Sequence, residues 1–192
     1  KITILSYSPN KGKGAALNLA FDYANNHNFD YAISIDADGQ HFASDLPLFL
    51  ETIDNNYGAM VVGSRFLKQD NMPAGNTFAN KFSNFWFTVQ TGKNLPDTQT
   101  GYRAYPIFKM GKLRSFSKRY ESELEYLQRM AWRNIKLISI PIKVYYAPVG
   151  ERVTHFRKGR DFIRISILNT LMCFVAILYG YPSMFLRKLL GK

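Results

Sequence analysis

Residues 32–41, AISIDADGQH, end an apolar run in two carboxylates, Asp36 and Asp38, followed by Gly39, Gln40 and His41. Side chains two apart on an extended chain point to the same side, so Asp36 and Asp38 converge on one object. Neighbouring carboxylates repel unless a cation lies between them or one holds a proton. A hard divalent cation, Mg²⁺ or Mn²⁺, takes such oxygens and keeps sites for substrate phosphates. Gln40 adds a neutral oxygen on the same alternation, and His41 is a further candidate ligand. A solvated turn produces the same Asp-x-Asp pattern, so the pair acquires meaning only from its neighbours.

Several other residues could carry chemistry. Lys13, between Gly12 and Gly14, opens a helix; backbone N–H groups and an ammonium there suit an anion, and a surface lysine after a glycine-rich turn reads the same. Arg65 ends the run VVGSR, where a guanidinium fork suits phosphate. Gln99 and Arg103 flank the Tyr102 region. For Arg103 a structural ion pair is an equal alternative. Glu121 and Glu125 share a helix face while Glu123 points elsewhere, and Glu125 with Arg129 also reads as a simple ion pair. A basic group, Arg152, His155, Arg157 and Lys158, completes the set.

The elements that must position these residues alternate. KITILSY reads as a strand, KGAALNLAFDYANN as a helix, YAISI as a doubly buried strand, and DLPLFLETIDNN as a helix capped by Ser44. GAMVVGSR is another strand. Thr77 is placed to cap a helix on which Phe78, Phe82, Phe85, Trp86 and Val89 follow helical spacing. YRAYP, the helix ESELEYLQRMAW and the strand IKLISIPIKVYY follow, with Pro141 marking an edge or bulge. This order predicts an α/β domain with a mainly parallel sheet, whose ligands sit at the carboxyl ends of the strands. Asp36 and Asp38 stand at one such end.

The chain has 192 residues, enough for one domain with a sizeable core, and 46% of them are hydrophobic. Lys and Arg number 25 against 14 Asp and Glu, a formal charge of +11, which favours nucleic acid, anionic lipid or a phosphate-bearing substrate. The basic residues are scattered among apolar runs with no aromatic-interleaved stripe, which argues against nucleic acid. The single cysteine, Cys173, forms no internal disulfide, so nothing calls for an oxidising compartment. Residues 165–186 carry no formal charge over 22 positions and are flanked by Lys158, Arg160 and Arg164 before and Arg187, Lys188 and Lys192 after. That length just spans a bilayer core of about 30 Å. Gly180 and Pro182 predict a break and then a short basic helix at the membrane surface. A core helix is the alternative.

Taken in order, these pieces resemble the dolichyl-phosphate mannose synthase-like branch of the family 2 glycosyltransferases, which have the GT-A fold. NKGKGAALNLAF is similar to that family's Asn-x-Gly-Lys-Gly-x-Ala segment, IDADGQH to its Asp-x-Asp-x-Gln metal motif, and VVGSRF to its Gly-Ser-Arg turn. DTQTGYRAYP resembles its Asp-x-x-x-Gly-[Phe/Tyr]-Arg segment, YESELEYL its Glu-x-Glu helix, IPIKVYY its following strand, and VTHFRKGRDFIRI a basic segment of some members. The family opens with a strand, a Pro-x-[Tyr/Phe]-Asn-Glu segment and an Asp-Asp-Gly-Ser turn, none of which is found here. The resemblance therefore implies a transferase domain over residues 1–160 that lacks its first strand or strands. Residues 161–192 then form C-terminal helices, on a membrane or packed on the core.

The resemblance implies transfer of a sugar from a UDP- or GDP-sugar to a polyprenyl phosphate, with inversion and a divalent metal. It assigns Asp36, Asp38 and Gln40 to the metal, and Lys13, Asp36, Arg152, His155 and Arg157 to the donor. Arg65, Gln99 and Arg103 fall to the acceptor, and Asp38, Glu123 and Glu125 to catalysis. It also implies a cytoplasmic protein held at the membrane's cytoplasmic face. A nucleotidyltransferase of similar architecture, a glycosyltransferase with a saccharide acceptor and a basic nucleic-acid-binding domain are the competing readings.

Overall fold

The computed structural model describes residues 2–65, 74–117, 119, 121–146 and 158–191. The elements are α1 (Lys13–Asn26), β1 (Tyr31–Ser34), α2 (Leu46–Asn55) after a 3₁₀ turn (Ala43–Asp45), β2 (Met60–Arg65), α3 (Ala74–Thr91), β3 (Arg103–Pro106), α4 (Ile107–Met110), α5 (Glu121–Trp132), β4 (Leu137–Ile142), α6 (Lys158–Val175), a π-turn (Ala176–Gly180) and α7 (Tyr181–Leu189). The strands lie in the order β1-β3-β2-β4. β2 and β4 pair in parallel, while β3 is antiparallel to both β1 and β2. Three of the four strands thus run one way, as expected, and the short YRAYP piece is inserted between them in the opposite sense.

Strand alternation divides the core into layers. Met60 and Val62 face α1, α3 and α5 in one cluster with Leu17, Phe21, Phe87, Tyr126 and Leu127. Val61 faces the other way, with Phe49 and Ile53 of α2, Tyr102, Ala104, Ile140 and Ile142. The result is a three-layer α/β sandwich. Pro141 lies on β4, an edge strand, as its missing N–H demands.

Local expectations fail where tertiary partners decide. Residues 2–7 form no strand, and Ile2 and Ile4 are almost wholly exposed, because no strand among the described residues offers them a ladder. Ser44 sits inside the 3₁₀ turn and does not cap α2. Asp45 holds that position but gives no side-chain cap either, since its Oδ2 accepts the Lys143 N–H at 2.8 Å. α3 starts at Ala74, three residues before the expected cap Thr77.

The chain does not break at Gly180 and Pro182. α6 runs through the π-turn directly into α7, with Pro182 in the first turn of α7, where its missing N–H costs nothing. The whole run Ile165–Leu189 is helical, long and apolar enough to cross a membrane, and mostly unburied. It touches the domain by a narrow strip in which Met172 and Ala176 pack on Trp132. Gly180 is part of that strip: a Cβ there would lie 2.5 Å from the Trp132 Nε1, whose N–H donates to the Gln90 carbonyl at 2.8 Å. Gly180→Ala is therefore expected to lower stability by about 1–3 kcal/mol, read as a lower denaturant midpoint with an unchanged slope.

Candidate active site

Three elements bring charged groups together at one end of the sheet. Lys13 is the first residue of α1, after Gly12 at φ 89°. Its Nζ lies 2.6 Å from Asp36 Oδ1 and 3.0 Å from Glu123 Oε2. Asp36 stands just past β1 and is seated on Gly101, where any Cβ would run into its carboxylate. Glu123 comes from the first turn of α5 and is 5% exposed; its Oε1 has no hydrogen-bond partner among the described residues. Burial works against the Lys13 charge, but Glu123 and Asp36 overcome it and raise the ammonium's pKa. Burial raises the Glu123 pKa, and the attraction of Arg103 and Lys13 does not cancel it.

Asp38 is exposed, in a turn where Gly39 takes φ 77°, and its Oδ1 accepts the Gln40 N–H at 3.0 Å. Beyond it, the Gln40 carbonyl accepts the Tyr145 N–H at 2.9 Å and His41 bridges to Val144, so the turn is tied to the segment after β4. The His41 ring lies 5.6 Å from that of Tyr102. Burial lowers its pKa; Asp36 and Asp38 pull upward, and Arg65 and Lys13 push down. One imidazole thus feels four of the expected site residues.

Arg65 ends β2 and makes a fork onto Asp97: Nε to Oδ2 at 2.6 Å and Nη2 to Oδ1 at 3.0 Å. Asp97 is fully buried and also accepts the N–H groups of Arg65 and Gln99. Burial disfavours the guanidinium charge, and Asp97 more than restores it. Gln99 is exposed, and its Nε2 donates to the Ala79 carbonyl at 3.2 Å, tying this loop to α3. Sequence reasoning quoted Asp97 and Gly101 within the DTQTGYR motif but gave neither a role. A buried counter-ion and a glycine serving as a seat for a carboxylate have no periodic signature.

Two expected site residues face elsewhere. Arg103 is fully buried, and its guanidinium donates to the carbonyls of Thr100 (2.7 Å), Glu123 (2.5 Å) and Thr98 (2.8 Å). It lies beneath the site and presents no donor to a cleft. Glu125 turns away from Lys13. It accepts the Ser115 hydroxyl at 2.7 Å, the Phe116 and Ser117 N–H groups at 3.1 and 3.0 Å, and Arg129 Nη1 at 2.9 Å. Arg152, His155 and Arg157 lie outside the described residues.

No group of three or more His, Cys, Asp or Glu side chains among the described residues is placed to hold a metal. A cation that arrives with phosphates needs only one or two protein carboxylates. Exposed Asp38, with Asp36 sharing one oxygen with Lys13, fits that lesser requirement.

Burial would raise the Glu125 pKa, but the Ser115 hydroxyl and the N–H groups of Ser117 and Phe116 hold it below the usual carboxylate value of 4.5. Its contribution to stability is therefore complete above that ordinary value and is lost as pH falls through the lower folded-state value. Glu125→Gln should cost about 2 kcal/mol at pH 7. The gap from wild type should close as the medium is acidified below pH 4.5, measured by denaturation at several pH values.

Residues 1–116 match the family described as Glycosyl transferase family 2. The chain is 30% identical over 176 residues to a UDP-N-acetylglucosamine–dolichyl-phosphate N-acetylglucosaminyltransferase of Methanococcus voltae, covering 88% of this chain and 70% of that protein. It is 26% identical over 159 residues to an undecaprenyl-phosphate mannosyltransferase of Micrococcus luteus, covering 78% and 63%. It is 24% identical over 148 residues to a polyprenol monophosphomannose synthase of Mycolicibacterium smegmatis, covering 74% and 56%. The chain thus spans between about half and 70% of the length of these relatives. With this match and a three-layer α/β domain that gathers Lys13, Asp36 and Glu123 beside the Asp-x-Asp turn, the chain belongs to the family 2 glycosyltransferases, in the branch of the dolichyl-phosphate sugar synthases.

Proposed function

We propose that the protein transfers a sugar from a nucleotide-diphosphate donor to a polyprenyl phosphate, with inversion at the anomeric carbon. The observation that carries this reading is the Lys13–Asp36–Glu123 constellation, set beside the Asp38 turn that follows β1. The names of the relatives support the lipid-phosphate acceptor. A phosphate oxygen of the acceptor attacks the anomeric carbon while the bond from that carbon to the diphosphate breaks, and the nucleoside diphosphate departs with the electron pair. A phosphomonoester is largely ionised at neutral pH, its second pKa being about 6, so no side chain need remove a proton.

The chain's residues then bind and orient. The Lys13 ammonium, held by Asp36 and Glu123, suits the donor diphosphate. The unpartnered Oε1 of buried Glu123 suits a hydroxyl of the donor sugar. Arg65, its plane set by the Asp97 fork, suits the acceptor phosphate. Asp38, with Asp36 beside it, would hold Mg²⁺ or Mn²⁺, which would neutralise charge developing on the leaving diphosphate. α6, the π-turn and α7 would rest on the cytoplasmic surface of the membrane, where the acceptor's chain resides.

The reading is tested by incubating the protein with UDP-N-acetylglucosamine or GDP-mannose and a polyprenyl phosphate and following sugar into the lipid phase. Absence of a lipid-linked product with every common nucleotide sugar would sink it. Two variants probe the roles. Asp38→Asn, at an exposed position, should cut turnover by at least about a hundredfold with the fold intact by circular dichroism, and a chelator should do the same to the wild type. Arg65→Lys should raise the acceptor KM by about tenfold and leave the donor KM nearly unchanged; equal effects on both would move Arg65 out of the acceptor site.

A further inference from the structure

Glu125 stands two residues after Glu123 in α5, is 3% exposed and has no part in the chemistry proposed above. A buried carboxylate is costly unless it is paired and bonded. Besides Arg129, this one gathers the Ser115 hydroxyl and the N–H groups of Phe116 and Ser117, so that consecutive residues wrap one anion. The Ser115 hydroxyl also accepts the Ser117 N–H at 3.1 Å, which draws the loop tight.

The same loop is the seat of α1. Asn18 Oδ1 accepts the Ser115 N–H at 3.0 Å, while its Nδ2 donates to the Ser115 carbonyl at 3.1 Å. Gly14, one turn earlier on the same face of α1, is buried against the Ser117 carbonyl; a Cβ there would run into that oxygen and lie 2.9 Å from the Ser122 Cβ of α5. Lys13 is the neighbour of Gly14 and the first residue of the helix. The loop thus bears on α1 at one side and on Glu125 at the other. Its position sets the approach of the first turn of α1 to the first turn of α5, across which the Lys13 Nζ meets Glu123 Oε2 at 3.0 Å.

We infer that Glu125 is a positioning residue for the donor side of the site: by folding residues 115–117 against Asn18 and Gly14, it holds Lys13 at Glu123. The inference rests on the assignment of Lys13 to the donor diphosphate. An ammonium that lost one of its two carboxylates would swing on its flexible stem, and ordering it afresh would weaken donor binding.

Two readouts separate this role from a merely structural one. The first needs no turnover: the native protein is labelled with acetic anhydride and each lysine is followed by mass spectrometry. Glu125→Gln should label Lys13 about tenfold faster, because loss of the Glu123 partner lowers the ammonium's pKa and frees more amine, while Lys109 and Lys136 keep their rates. The second is kinetic. With UDP-N-acetylglucosamine or GDP-mannose as donor, Glu125→Gln should raise the donor KM about tenfold and leave the acceptor KM unchanged. Ser115→Ala, which removes one bond from the same carboxylate, should move both readouts in the same direction by about threefold. Gly180→Ala lowers stability at Trp132, the last residue of α5, and should leave the Lys13 labelling and the donor KM as in wild type. Unchanged Lys13 labelling in both Glu125→Gln and Ser115→Ala would overturn the inference, as would equal acceleration in Gly180→Ala. Faster labelling with an unchanged donor KM would overturn the donor-side role. Should the wild type transfer no sugar at all, the transferase reading would fall by itself, and the labelling would still decide whether Glu125 holds Lys13.

Discussion

The guanidinium of Arg103 is the constraint on which the site depends. Three carbonyls from two segments, Thr98 and Thr100 before β3 and Glu123 in α5, converge on one buried cation. Charge-assisted bonds of this kind are stronger than neutral ones. The grip sets the loop that carries Asp97 and Gly101 against the first turn of α5. Gly101 then seats Asp36, and the turn of α5 presents Glu123 to Lys13. The reversed strand β3 carries this arginine into the centre of the sheet, so the antiparallel insertion and the geometry of the site have one cause.

A second tension runs through the side of the domain formed by α3 and α6. Burying asparagine, serine and glutamine while leaving phenylalanines outside costs a water-soluble protein twice, once in desolvated polar groups and once in forfeited apolar burial. The buried polar groups are anchored by directional bonds: Trp132 to the Gln90 carbonyl, Gln128 to the Gln90 side chain, Gln90 to Asn169. Such bonds fix how the helices are rotated about their axes, which a greasy contact would leave loose.

The alternation of elements, the strand-end position of Asp36 and Asp38, the helix start at Lys13 and the edge position of Pro141 were legible in the chain, because periodicity and backbone chemistry are local. What was not legible depended on partners distant in sequence. Helical spacing showed that Phe78, Phe82, Phe85 and Val89 share a face, but not whether that face looks inward. Glu123 and Glu125 are chemically alike, and only the fold separates the one that meets Lys13 from the one that clamps residues 115–117. Arg103 was legible as a charge, and its burial became visible only with the three carbonyls around it. KITILSY has the pattern of a strand, and a strand exists only where a neighbour can pair with it.

The π-turn at Ala176–Gly180 has a consequence for how this protein can vary. Such a turn is an α-helix holding one residue more than its pitch allows. Losing one residue there would relax the helix to regular geometry and swing everything downstream by roughly 100° about the axis. Tyr181 would leave the Val89 carbonyl and the Met184 carbonyl would leave the Asn134 amide. Substitutions along the outer face would leave the tail's bearing intact so long as they stayed apolar, whereas a one-residue deletion, even of alanine, would re-aim it. The heading of the C-terminal helix is encoded in chain length more than in composition.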